Sequence, residues 1–260
     1  AGGPVHAGPL AERLGHGYAR PMPRTSSTPV DEAQAPQAKR LTSKGLRTRS
    51  AILDAAERQF SERGFEGVSL RQIMDEAGVK MGQLQHYFPT KEDVFVGVLD
   101  RRLSQVTADY VAAVDDMESH VEAGQADLRV VVRAVMSVSR AWLSAEDAGL
   151  HRYLRMLALS TMSFDQPDYV RSHGQSFQPL NERIIRQLAR LYPQADPERT
   201  RAAYHLIEAN LLSVYANVDS LLARSRITRS PAAIGNLYDH LEDFLVGGID
   251  AVLRQGDLSN

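Results

Sequence analysis

The chain contains no cysteine. That excludes a disulfide framework and any thiolate metal site, and it fits a reducing compartment. No uninterrupted aliphatic run exceeds a few residues, Val130-Val131-Val132 being typical. A bilayer span needs about 18 to 20. The first residues also lack the apolar core of a secretion signal. A soluble, cytoplasmic protein without a membrane partner is expected. Lysine is scarce, with 4 against 26 arginines, a bias of GC-rich bacterial genomes. Strand patterning is missing too: no stretch alternates apolar and polar residues with period two. The motifs of common enzymes are absent: HExxH, a Walker P-loop, GxGxxG and G-x-S-x-G. His205 and Glu208 share a helix face but make no metal site by themselves. No catalytic residue, metal or cofactor is expected.

What is present is enough apolar residue, 43% of 260, to build one large or two modest domains. The net charge of −2 hides an asymmetry. Residues 39–102 sum to +3 and residues 103–260 to −5. A basic unit on an acidic body points to a polyanion partner for the first part, although such a balance also occurs on ordinary surfaces.

Residues 1–43 are rich in Pro, Gly, Ala and Ser/Thr without apolar period and read as a disordered tail. From Leu46 the signals are helical. Ile52, Ala56 and Phe60 form one stripe, and Gly64 is expected to end that helix in the left-handed conformation, with Phe65 closing it. Ser69 and Gln72 form a capping box for a helix to Ala77. Gly78 makes the turn, and a third helix runs from Lys80 to Tyr87. Thr90 and Asp93 cap a fourth, expected to reach about Met117. Further helices are expected at 128–142 and 150–161. One more, opened by Asp165 and Pro167, runs toward Leu191 and is bent or split at Pro179. Asp196-Pro197 and Ser230-Pro231 start helices of about 28 and 24 residues. The fold class is therefore all-α: a three-helix helix-turn-helix unit over 44–92, and a helical bundle for ligand sensing and dimerisation over 93–256.

Two helices joined by a short turn at Gly78 have helix-turn-helix geometry, in which the second enters a DNA major groove. Leu70, Ile73, Ala77, Val79 and Leu84 brace the angle, leaving Lys80, Gln83, Gln85 and His86 outside. Gln pairs with adenine and Lys with guanine. Lys44, Arg47, Arg49, Ser69, Arg71, Met81, Tyr87 and Lys91 complete the expected DNA contacts, mostly to phosphates. His86 as a surface or capping residue, and Arg71 as a helix-surface ion pair, are the plainer alternatives.

The elements I-L-x-A-A-x-x-x-F (52–60), G-F-x-x-V-S-L-R-x-I (64–73), A-G-V (77–79) and G-x-L-x-x-Y-F-P-T-K-E (82–92) occur in order and without a gap. This stretch of about 58 residues resembles the N-terminal domain of TetR-family regulators. The resemblance implies a homodimer on a partly palindromic DNA operator, usually a repressor released by a small molecule. It also marks a departure. The family often has Thr or Ser where Gln83 stands and an aromatic where Gln85 stands, so the glutamines are expected to read bases; Tyr87 is retained for a phosphate.

Beyond residue 103 the resemblance is architectural. It implies a dimer through the last two long helices, whose candidates are Leu206, Leu211, Val214, Val218, Leu221, Leu237, Leu241, Phe244 and Leu245. A monomeric bundle would bury the same stripes. Trp142, Tyr153, Met156, Met162, Phe164, Phe177 and Tyr215 are the candidates for an apolar ligand pocket; each reads equally as core. Arg152, Arg155 or His173 would meet an anionic head group if the ligand has one. The rival functions are a ligand-independent, architectural helix-turn-helix binder, a helical adaptor for proteins, and an orphan helical hydrolase.

Overall fold

The structure is a computed structural model that describes residues 42–125, 127–145, 147–162 and 168–254, without the side chains of residues 168 and 169. Residues 1–41 of the tail expected over 1–43, the helix start at Asp165 and the pocket candidate Phe164 lie outside the described residues, while Ser43 already belongs to a helix. Ten α-helices and no strand occur among the described residues.

The head begins with α1 (Ser43–Arg63), α2 (Leu70–Ala77) and α3 (Met81–Tyr87). Helix α1 starts three residues before the expected Leu46, because the Thr42 hydroxyl accepts a bond from the Gly45 amide. Its end differs also. Gly64 has φ 69° but ψ 176°, an extended mirror-image conformation rather than the left-handed helical one. Phe65 still folds back, its ring 5.8 Å from Phe60 and 5.3 Å from Phe95. Such aromatic pairs add about 0.5–1.5 kcal/mol each beyond their buried area. The Ser69–Gln72 box caps α2, and Gly78 closes it at φ 65°, ψ 31°, a left-handed turn that glycine adopts without strain.

Helix α4 (Lys91–Glu122) is capped by the Thr90–Asp93 box. It is continuous across the domain boundary expected at residue 92, so one rod belongs to both the head and the bundle. Gly97 lets it approach the head: a Cβ there would lie 2.7 Å from Phe88 Cε1 and 3.1 Å from Leu53 Cδ2.

The bundle continues with α5 (Leu128–Ser144), α6 (Ala148–Thr161), α7 (Asp168–Gln175), α8 (Gln178–Leu191), α9 (Pro197–Arg224) and α10 (Pro231–Arg254). Pro179 sits in the first turn of α8, which its fixed φ favours, and the chain breaks before it at Ser176–Phe177. Asp196 and Ser230 cap α9 and α10 as their spacing predicts. Helices α5 and α10 are tied by a buried carboxylate, Glu242, which takes hydrogen bonds from Arg129 and, at 2.8 Å, from Arg133. No helix among the described residues is long and apolar enough to cross a membrane.

Candidate functional site

The exposed face of the α2–α3 pair stands on a small core. Ile73 of α2 and Leu84 of α3 are fully buried, with Leu70, Ala77 and Val79 packed half-buried around them. This locks the helix pair at a fixed angle and leaves Ser69, Arg71, Lys80, Gln83, Gln85 and His86 exposed, with Met81 and Tyr87 half-exposed. Lys44 and Arg47 lie exposed on the first turns of α1. Arg49 is partly covered and lies 5.2 Å over the Phe88 ring.

Two expected contacts have structural work already. The Gln83 side-chain carbonyl accepts a 3.0 Å bond from the Lys80 amide, filling the N-terminal orphan donor of α3. Its amide group alone remains for a base edge. Lys91 donates to the Phe65 carbonyl at 3.0 Å and lies 4.1 Å from the centre of the Phe65 ring. It pins the start of α4 to the α1–α2 loop.

The second feature is a cavity of about 130 Å³ inside the bundle, walled by α4 to α9. Of the expected residues, Tyr153, Phe177 and Tyr215 line it. Trp142 and Met156 are buried but do not reach it, and Met162 is 57% exposed, because it caps the end of α6 rather than facing inward. Tyr110, Tyr204, Asn181, Thr161 and Glu208 line it and were not anticipated. Their sequence signal is weak, since each is one polar-tipped residue on an otherwise ordinary amphipathic helix. His173 also lines the cavity, 4% exposed and 2.9 Å from the Tyr153 hydroxyl. Burial pushes its imidazole down to about 4, so it is neutral at physiological pH. The anion partners expected from the sequence are therefore corrected. Arg152 is engaged by Glu57 and Arg155 is exposed away from the cavity, while His173 carries no charge.

Glu57 joins these two features. It is 1% exposed on α1 and pairs with Arg101, with Arg102 at 3.8 Å, and with Arg152 at 3.2 Å. Arg152 precedes the cavity residue Tyr153 on α6. A buried carboxylate of the head is thus held by a cation of the bundle.

The expected dimer candidates divide. Leu211, Val214, Val218 and Leu245 are buried in the chain's own core, which corrects their assignment to an interface. Leu221, Leu237 and Leu241 are half-buried, whereas Leu206 and Phe244 are 46% and 65% exposed. Among the described residues no group of three His, Asp or Glu is placed to hold a metal ion.

Residues 52–98 match the profile of "Bacterial regulatory proteins, tetR family", and residues 133–248 match "Tetracyclin repressor-like, C-terminal domain". The two matches together cover more than half of the chain. The chain belongs to the TetR family. It is a DNA-binding transcription regulator of that family, whose members are not enzymes. The HTH-type transcriptional repressor AcnR of Corynebacterium diphtheriae is 29% identical over 133 residues, 46% of this chain and 70% of AcnR. The HTH-type transcriptional regulator RutR of Escherichia coli K12 is 37% identical over 92 residues, 35% of this chain; this TetR-family regulator spans only 41% of RutR. Among solved structures, the multidrug binding protein EbrR complexed with malachite green aligns over 78% of this chain and 96% of its own, at 22% identity and TM-score 0.48.

Proposed function

We propose that the protein is a homodimeric repressor that holds a partly palindromic operator through α2 and α3 and lets go when a small ligand fills the bundle cavity. One observation carries the reading: the cavity shares α6 with Arg152, whose partner Glu57 belongs to the head. A ligand that moves α6 acts on α1 through that pair, and the spacing of the two heads changes. Lys80, Gln85 and the Gln83 amide face the bases; Lys44, Arg47, Arg71 and Tyr87 hold phosphates. The outward stripe Leu237-Leu241-Phe244 of α10, with Leu206 and Leu221 of α9, meets its copy.

The test is selection of an operator from random duplexes, followed by binding at several salt concentrations. A short inverted repeat, bound by two chains with affinity falling steeply in salt, is expected. Binding without sequence preference would leave an architectural role, and salt-independent or absent DNA binding an adaptor role; either outcome sinks the proposal.

A further inference from the structure

We propose that the bundle cavity selects a small organic cation, an apolar body of about one ring carrying a protonated nitrogen, with Glu208 as counter-charge. The proposal rests on the reading of this cavity as the effector site and adds its ligand class. Among the described residues lining the cavity, Glu208 is the one formal charge at neutral pH; no Lys or Arg reaches it. The remaining walls are aliphatic side chains, the uncharged polar groups of Thr161, His173 and Asn181, and the rings of Tyr110, Tyr153, Phe177, Tyr204 and Tyr215, with Tyr110 and Phe177 packed edge-to-face at 6.0 Å. Ring faces carry negative quadrupole potential and favour a cation. The Glu208 charge reaches into this space: besides burial, it raises the titration of the Tyr110 and Tyr204 phenols. These phenols stay protonated and add no compensating charge.

A ligand that fills the cavity displaces water from the side of Glu208 that lines it. A neutral ligand leaves the carboxylate to His205 on the same helix, 3.2 Å away at the exposed rim, and to the solvent on that side. An anion adds repulsion. A protonated amine answers the charge directly, by a charge-assisted hydrogen bond. Size follows from volume, because a cavity on the order of 150 Å³ accommodates one benzene ring, and this one measures about 130 Å³.

Three probes of one shape decide the matter by calorimetry on the full chain at pH 7: benzylamine, benzyl alcohol and benzoate. Benzylamine is expected to bind about tenfold or more tighter than benzyl alcohol, the range for a hydrogen bond to a charged group, with benzoate weakest. Glu208→Gln, checked for an unchanged melting temperature, is expected to bring benzylamine level with benzyl alcohol. Tyr204→Phe keeps the ring and is expected to retain the preference. Benzoate binding as tightly as benzylamine, or a preference that survives Glu208→Gln, overturns the charge assignment while leaving the effector site standing. Binding of none of the three overturns both. Benzylamine binding that never alters operator affinity supports this inference and sinks the effector reading instead.

Discussion

Glu57 and Arg152 are 95 residues apart in sequence and 3.2 Å apart in space, carboxylate to guanidinium. A carboxylate this deeply buried is stable only because cations from α4 and α6 surround it. The α4 arginines hold Glu57 to the rod that enters the bundle, and Arg152 holds it to the helix that lines the cavity. Gly149 makes the approach possible, since a Cβ there would collide with Arg102 and lie 2.9 Å from Asp147 Oδ1 and 3.1 Å from Glu57 Oε1.

Arg152→Ala therefore separates coupling from binding. Glu57 keeps Arg101 and Arg102, so the loss of stability is expected to be about 1–2 kcal/mol rather than the roughly 3–5 kcal/mol of an unanswered buried charge. Operator affinity without ligand should change little, whereas the ligand-induced fall in that affinity should shrink several-fold. Urea unfolding and DNA titration with and without ligand measure the two quantities. An unchanged ligand response would remove this pair from the path.

His173 gives a pH signature. Its imidazole titrates near 6.5 when unfolded and about 4 when buried. Below pH 6.5 the unfolded chain takes a proton that the folded chain refuses, so stability is full above 6.5 and falls as pH drops toward 4. The loss is about 3 kcal/mol. His151, lowered by burial and by Arg229, adds a slope of the same sign. Glu118 acts elsewhere: its hydrogen bond from Arg183 holds it below 4.5, so its contribution is lost only below that pH. His173→Asn should flatten the pH 4–6.5 limb of stability measured by urea unfolding; an identical limb in the variant would refute the assignment.

On the recognition helix, Gln83 and Gln85 should separate. Gln83→Ala removes the bond to the Lys80 amide as well as any base contact, and should lower stability by about 0.5–1 kcal/mol. Gln85→Ala touches no internal bond and should relax operator preference at unchanged melting temperature. Arg71→Ala should weaken all sequences alike and reduce the salt slope by about one. Melting curves with binding to matched and mismatched duplexes distinguish the three outcomes.

The same residue shows how far the sequence could be read. Lys80 and Gln83 have the three-residue spacing of a capping box, like Ser69–Gln72 and Thr90–Asp93, yet lysine is not a capping residue, so the spacing alone carries no cap signal. Helix starts at Asp196-Pro197 and Ser230-Pro231 were legible because a cap acts within three residues. What spans the chain was not. Lys91 binds a carbonyl 26 residues away, and Glu57 binds arginines 44 and 95 residues away, at spacings without local pattern. The wide stripe of α9 was visible as apolar, but periodicity cannot say which neighbour covers it. Leu211, Val214 and Val218 proved to face their own core, and Leu206 the outside.

Phe244 carries the last expectation. It is a large apolar ring, 65% exposed, on the face that Leu237 and Leu241 share two turns and one turn earlier, and open backbone at Gly248 continues the stripe. Exposed rings on such a stripe mark an interface. A helix of a second copy crossing here would bury Phe244 without meeting a side chain at Gly247 or Gly248. Phe244→Glu leaves the chain's own core intact, so a folded protein with unchanged helicity is expected. In a dimer the charge would face its copy across the two-fold axis, unpaired and desolvated, at about 2–4 kcal/mol per interface, or roughly 30- to 1000-fold in dissociation constant. Sedimentation or light scattering at micromolar concentration should then find monomer where the parent chain is dimeric, and operator affinity should fall with it because two heads no longer bind together. If the variant remains dimeric, the copies meet through some other face and this stripe needs another occupant.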